Sequence, residues 1–170
     1  MNSYTLPYGM PRAGGPGVIP EKGNYRPGFG DPPLEEQVKG LPTAEGYAFC
    51  PQVLIENGAL SDRAEHSAEI SGEITGSCAK DVVMSGDIDN LNGFVVADSS
   101  RYQITNAAID LKGDGINDFE GWGAAVQARD ASVVILEDSR ITTSGVIRPC
   151  TSAIGTSTLI VKNCELTGNG

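Results

Sequence analysis

The 170-residue chain is poor in aromatic residues, which make up 6% of it, and it holds one tryptophan, three methionines and one histidine. A helical bundle needs long Leu/Met-rich stripes, so the composition favours short strands and turns over one. No stretch approaches the roughly 18 apolar residues of a membrane span, and the start MNSYTLPYGMPR lacks a basic segment followed by an apolar run. A soluble, cytoplasmic protein with no membrane partner is expected. The four cysteines, Cys50, Cys78, Cys150 and Cys164, are too far apart for CxxC metal knuckles or a small disulfide framework, so free, buried thiols in a reducing compartment are expected. Basic residues are few as well: 12 against 22 acidic ones, for a net charge of −10. General attraction to nucleic acid is thereby disfavoured. No phosphate-binding loop and no dinucleotide fingerprint occurs.

What is plentiful is glycine, at 22, and proline, at 10. Eight of the ten prolines and four of the five tyrosines fall in residues 1–48. Such a segment forms neither a ladder nor a long helix, and it is expected to be an extended arm whose tyrosines supply contact area for oligomerisation. One short helix is expected at Leu34 to Val38, capped by Asp31 and opened by Pro32 and Pro33. From residue 49 to 170 the texture changes to short β-branched runs separated by Gly, Asn, Asp and Ser, the pattern of many short strands.

Within that second region a template recurs. Ile104-Thr105-Asn106-Ala107-Ala108-Ile109, Leu136-Glu137-Asp138-Ser139-Arg140-Ile141 and Val161-Lys162-Asn163-Cys164-Glu165-Leu166 each place Asn or Asp two residues after an aliphatic and three before the next. Each continues to a glycine, at Gly113, Gly145 and Gly170. The offsets are 32 and 25 residues, as expected of repeats that carry loops of variable length on one side. Alternating aliphatics would face a shared core, Asn or Asp would make the bend, and Ala107, Ser139 and Cys164 would stack. The runs from Ala68 to Gly76 and from Val82 to Ile88 read as shorter, less regular repeats.

The texture of residues 50–170 resembles the right-handed parallel β-helix superfamily of pectate lyases and polygalacturonases. The resemblance rests on the repeat and not on a catalytic signature. It implies an all-β solenoid, the N-terminal part of a β-helix, with a lateral groove acting on a polar or carbohydrate substrate by hydrolysis or elimination. A β-sandwich stays open, because Asn57-Gly58 and Asn92-Gly93 are dipeptides that suit hairpins. A solenoid ending on an open coil exposes an unpaired edge, so a companion chain carrying the remaining coils is expected, with the polypeptide cut after Asn169-Gly170.

The densest polar cluster is Asp110, Lys112, Asp114, Asn117, Asp118 and Glu120. Carboxylates on a glycine-punctuated loop suit a calcium ion, but the spacing departs from an EF-hand, so a solvated turn is the simpler reading and no metal is assigned. Acid/base chemistry on a glycosidic bond needs two carboxylates about 5 to 10 Å apart, and Asp114, Asp118 and Asp138 are the candidates, with Asp110 and Asp130 beside them. Trp122, Glu120 and Arg140 are the candidate substrate-binding residues, Trp122 by stacking on a sugar ring or, alternatively, by pinning its loop. Elimination would call on Arg101, Arg129, Arg140 or Arg148 as base. His66 between Glu65 and Ser67 reads as a surface residue, and Cys150 lacks a nearby histidine to activate it. A non-catalytic scaffold or binding solenoid, or an enzyme on a non-carbohydrate small molecule, are the alternatives.

Overall fold

The computed structural model describes residues 50–62, 64, 68–115 and 121–170. These belong to the unit Phe49–Gly170. The expectations of an extended arm over residues 1–48 and of a short helix at 34–38 fall outside the described residues, as do His66, Asn117, Asp118 and Glu120.

Thirteen strands are described: β1 Cys50–Glu56, β2 Ala59–Leu60, β3 Glu69–Ile74, β4 Cys78–Asp87, β5 Leu91–Val96, β6 Arg101–Thr105, β7 Ala108–Lys112, β8 Val126–Ala128, β9 Val133–Glu137, β10 Arg140–Ser144, β11 Thr151–Ala153, β12 Thr158–Lys162 and β13 Glu165–Asn169. The fold is all-β, and its sheets are predominantly parallel and curled. Each strand from β5 to β10 pairs in parallel with the strand three on in the chain: β5 with β8 and β8 with β11, β6 with β9 and β9 with β12, β7 with β10 and β10 with β13. The template therefore sets the register. Ile141 is opposite both Ile109 and Leu166, while Leu136 is opposite Ile104 and Val161. In β6, β7, β9 and β10 only alternate side chains are fully buried, as a pleat with one face in the core requires.

Strand β4 explains how the sheet curls. Its first part pairs with β6 and its second with β7, and the bend between them falls at Asp81, whose φ is 52°. Asn106, Asp138 and Asn163 take the same left-handed conformation, with φ of 54°, 51° and 50°, at the equivalent corners. Asn and Asp tolerate this region because their short polar side chains bond locally. A second bend follows β5 and β8, at Asp98-Ser99 and Asp130-Ala131, and there Ser132 and Ser157 reach back across the repeat to Val96 O and Ala128 O at 2.8 and 2.9 Å.

Val53, Ile55, Phe94, Val96, Val126 and Ala128 of one sheet share a core with Ile104, Leu136, Ile109, Leu111 and Ile141 of the other. Each side chain of this size contributes about 1.5–3 kcal/mol when fully buried. The glycine column has a steric cause: a Cβ on Gly145, whose φ is 142°, would collide with the carbonyl of Gly113.

Two expectations are corrected at the start of this unit. Residues 68–76 do not form a repeat: β3 runs antiparallel to β4, with a bulge between Ser71 and Glu73. Asn57-Gly58 does make a hairpin, joining β1 to antiparallel β2, whereas Asn92-Gly93 lies within β5. Two antiparallel pairings, β1 with β2 and β3 with β4, beside predominantly parallel sheets do not make a sandwich.

Candidate functional site

The corner that carries Asp138 gathers the polar side chains. Asn163 Nδ2 donates to Asp138 Oδ1, and Asn106 Nδ2 donates to Asp81 Oδ1 at 2.6 Å. Asp and Asn thus alternate down the column, so each carboxylate meets an amide donor, where an all-Asp column would stack like charges one strand spacing apart. The small residues stack beside them as the template predicts: Ala107 N donates to Ser139 Oγ at 3.0 Å, and Ser139 N to Cys164 Sγ at 3.4 Å. Arg140 Nε lies 3.0 Å from Glu165 Oε2 in an exposed ion pair, the kind that contributes at most about 1 kcal/mol. Together Asn106, Asp138, Ser139, Arg140, Asn163 and Glu165 edge a shallow, open depression of about 390 Å³.

Of the six sequence candidates, Asp138 and Arg140 meet at this corner. Asp114 is elsewhere, just past the far end of β7. Since Arg140 is opposite Ala108 and Ser144 opposite Lys112, Asp114 and Asp138 flank opposite ends of one five-residue rung. At about 3.3 Å per residue their separation is on the order of 20 Å, too far for a carboxylate pair across one glycosidic bond. Asp114 also has other work: its Oδ1 accepts from Val146 N at 2.7 Å, its amide donates to Asp89 Oδ1 at 2.7 Å, and its carbonyl accepts from Asn90 N at 2.8 Å. It ties three loops together.

Trp122 is 6% exposed, so it pins its loop and presents no stacking face to solvent. Asn92 fixes the same loop from β5, donating to Gly121 O at 2.7 Å and accepting from Gly123 N at 3.3 Å. Asn117, Asp118 and Glu120, half of the polar cluster weighed for calcium, lie outside the described residues; among the described residues no group of three His, Cys, Asp or Glu side chains could hold a metal ion.

Sequence reasoning gave Arg148 a possible role as a base, but it is 6% exposed, and its guanidinium donates to Ile88 O and Gly113 O at 3.1 Å and to Leu91 O at 2.7 Å. The column of Ser100, Ser132 and Ser157 was missed, although its offsets of 32 and 25 residues are those of the aliphatic template. Tyr102, buried in the core, donates to Thr75 O at 3.0 Å; burial, and secondarily the neighbouring Cys78, push its pKa far above the usual tyrosine value. Cys78, Cys150 and Cys164 are free thiols of intermediate burial. Among the described residues no helix is long and apolar enough to cross a membrane.

No protein-family model, no curated protein and no solved structure matches the chain.

Proposed function

We propose that residues 49–170 form a right-handed parallel β-helix whose role is that of a scaffold for assembly and binding. The handedness follows from the strong right-handed preference of connections between parallel strands. The observation that carries the scaffold reading is how the chemically capable side chains are used. The Asp114 carboxylate holds the Val146 amide, Arg148 clamps backbone carbonyls, Trp122 is buried, and Asp138 is bonded to Asn163. Groups held this way stabilise stacked repeats. They are not poised to exchange protons with a substrate.

The scaffold reading predicts that Asp138→Asn and Asp114→Asn lower thermal stability, Asp114→Asn by the loss of a charge-assisted bond worth about 1.5–3 kcal/mol. Circular dichroism melts of both variants test it. Turnover of a polyuronate or glycoside by the unaltered chain, lost in Asp138→Asn with the melting temperature unchanged, would overturn it.

One observation favours a second reading, a hydrolase or lyase on a polar or carbohydrate substrate. The open depression at Asp138, Arg140 and Glu165 mixes both signs of charge with the amides of Asn106 and Asn163, a lining that suits hydroxyl-rich ligands. In that reading turnover is again the deciding readout. The free thiols fit a reducing compartment, the cytoplasm, under either reading.

A further inference from the structure

The side-chain bonds of the corner column all run in one direction. Asn106 Nδ2 donates back to Asp81 Oδ1 at 2.6 Å, and Asn163 Nδ2 donates back to Asp138 Oδ1. The four residues are thereby tied as two pairs, and the step from Asn106 to Asp138 has no side-chain bond across it. Because the two terminal atoms of an amide or a carboxylate diverge, the atoms left over are Asn106 Oδ1 and Asp138 Oδ2, both acceptors. Among the described residues neither of them accepts a hydrogen bond. Arg140 is opposite Ala108, which puts Asp138 about 4.8 Å, one strand spacing, from Asn106. The step is an interior one, since β7 also pairs with β4 and β10 also pairs with β13. The open depression lies over it, with Ala107 and Ala108 leaving room between Asn106, Asp138 and Arg140.

We propose that the step between Asn106 and Asp138 binds the ammonium group of a small primary amine. This goes beyond the scaffold reading, because it names a ligand and calls for no turnover. A nitrogen about 2.8 Å from each of two acceptors about 4.8 Å apart meets them at roughly 120°, near the tetrahedral angle of an ammonium. A hydroxyl carries one proton and satisfies one of the two acceptors. A water molecule carries two protons but leaves the Asp138 charge in place, whereas an ammonium neutralises it. Divalent cations call for about six oxygens, and among the described residues no group of three His, Cys, Asp or Glu side chains could hold a metal ion. Arg140 is paired with Glu165 at 3.0 Å, so the charge of the depression that remains unpaired by a cation is that of Asp138. The net charge of −10 draws cations to the chain in general, and the two facing acceptors select among them by their protons.

The probe is ethylammonium chloride, titrated at low ionic strength into the whole isotope-labelled chain and followed by the side-chain amide signals of Asn106 and Asn163 and the backbone amide of Ser139 in proton–nitrogen NMR spectra. Tetramethylammonium chloride is the control, with the same charge and no N–H. A saturable shift in the millimolar range is expected with ethylammonium, at least tenfold weaker with tetramethylammonium and absent with methyl glucoside. Asn106→Gly and Asp138→Gly, which keep the left-handed corners, should each weaken it at least tenfold. Asp130→Asn removes one charge at a different corner and should leave it unchanged. No saturable shift, an equal response to both salts, or tighter binding of methyl glucoside overturns the proposal, and these comparisons use the unaltered chain and so decide even where a variant fails to fold. Undiminished binding in a folded Asn106→Gly chain overturns it as well. The scaffold reading fails on turnover and this proposal on the titration, so the two failures are read in separate assays.

Discussion

Replacing Arg148 by methionine should destabilise the fold by about 3 kcal/mol, and the figure follows from the geometry of the guanidinium. Three charge-assisted bonds reach carbonyls of residues that follow β4, open β5 and follow β7, at 3.1, 2.7 and 3.1 Å. At about 1.5–3 kcal/mol each they sum to roughly 5–9 kcal/mol. Against this stands the cost of taking a guanidinium out of water, several kcal/mol, which methionine avoids while filling much of the same volume. The net loss of about 3 kcal/mol should lower the melting temperature by roughly 12 °C for a unit of roughly 120 residues. Arg148→Lys should recover only part, because one ammonium cannot present the fork that meets three carbonyls. The assay is urea unfolding of both variants monitored by circular dichroism. A loss under about 1 kcal/mol for the methionine variant would refute the reasoning, and with it the view that Arg148 is a structural clamp.

Other outcomes follow from the corners and the core. Asn106→Asp removes the donor to Asp81 and stacks a carboxylate beside Asp81 and Asp138; a destabilisation of about 1–2 kcal/mol is expected at pH 7, readable from urea midpoints. Ile147 holds a φ of 54°, a conformation that β-branched residues resist, so Ile147→Asn should raise stability by about 1 kcal/mol, and a lower melting temperature would count against that strain. Gly145→Ala should cost at least about 2 kcal/mol, because its Cβ meets the Gly113 carbonyl in the next repeat. Tyr102 has a pKa raised in the folded state, so it keeps its proton where the unfolded chain has lost it; its contribution is complete below about pH 10 and declines as pH rises beyond that. Tyr102→Phe should be about 1 kcal/mol less stable at neutral pH and lose less than the unaltered chain between pH 9 and 11, as paired urea titrations would show.

The parallel register was legible because the core constrains it. A one-residue slip would turn Ile109 and Ile141 to solvent, so aliphatic spacing alone places them opposite each other. The corners were legible for a related reason, since few residues besides Asn, Asp and Gly take a left-handed bend comfortably. The antiparallel course of β3 was not, because Glu69-Ile70-Ser71-Gly72 alternates like any strand and carries no sign of direction. For the candidate site, sequence reasoning grouped Asp138 with Asp114 as carboxylates and set Arg140 apart as a binding residue, whereas the register puts Asp138 beside Arg140 and carries Asp114 to the opposite end of the rung. Acidic character marked those residues as capable of chemistry. Their partners, Val146 N for Asp114 and Asn163 for Asp138, lie 25 to 32 residues away and become neighbours only once the repeats stack. The alternative that Trp122 pins its loop was open from the sequence, but the means was not: Asn92 holds that loop down from β5.

The most direct test of the stacked parallel register is methyl NOE spectroscopy on the chain with labelled isoleucine and leucine methyls. Ile109, Ile141 and Leu166 should give a connected series, Ile109 to Ile141 and Ile141 to Leu166, with no direct cross-peak between Ile109 and Leu166 two strand spacings apart, at roughly 10 Å. A missing Ile109–Ile141 cross-peak, or a direct one from Ile109 to Leu166, would contradict the account.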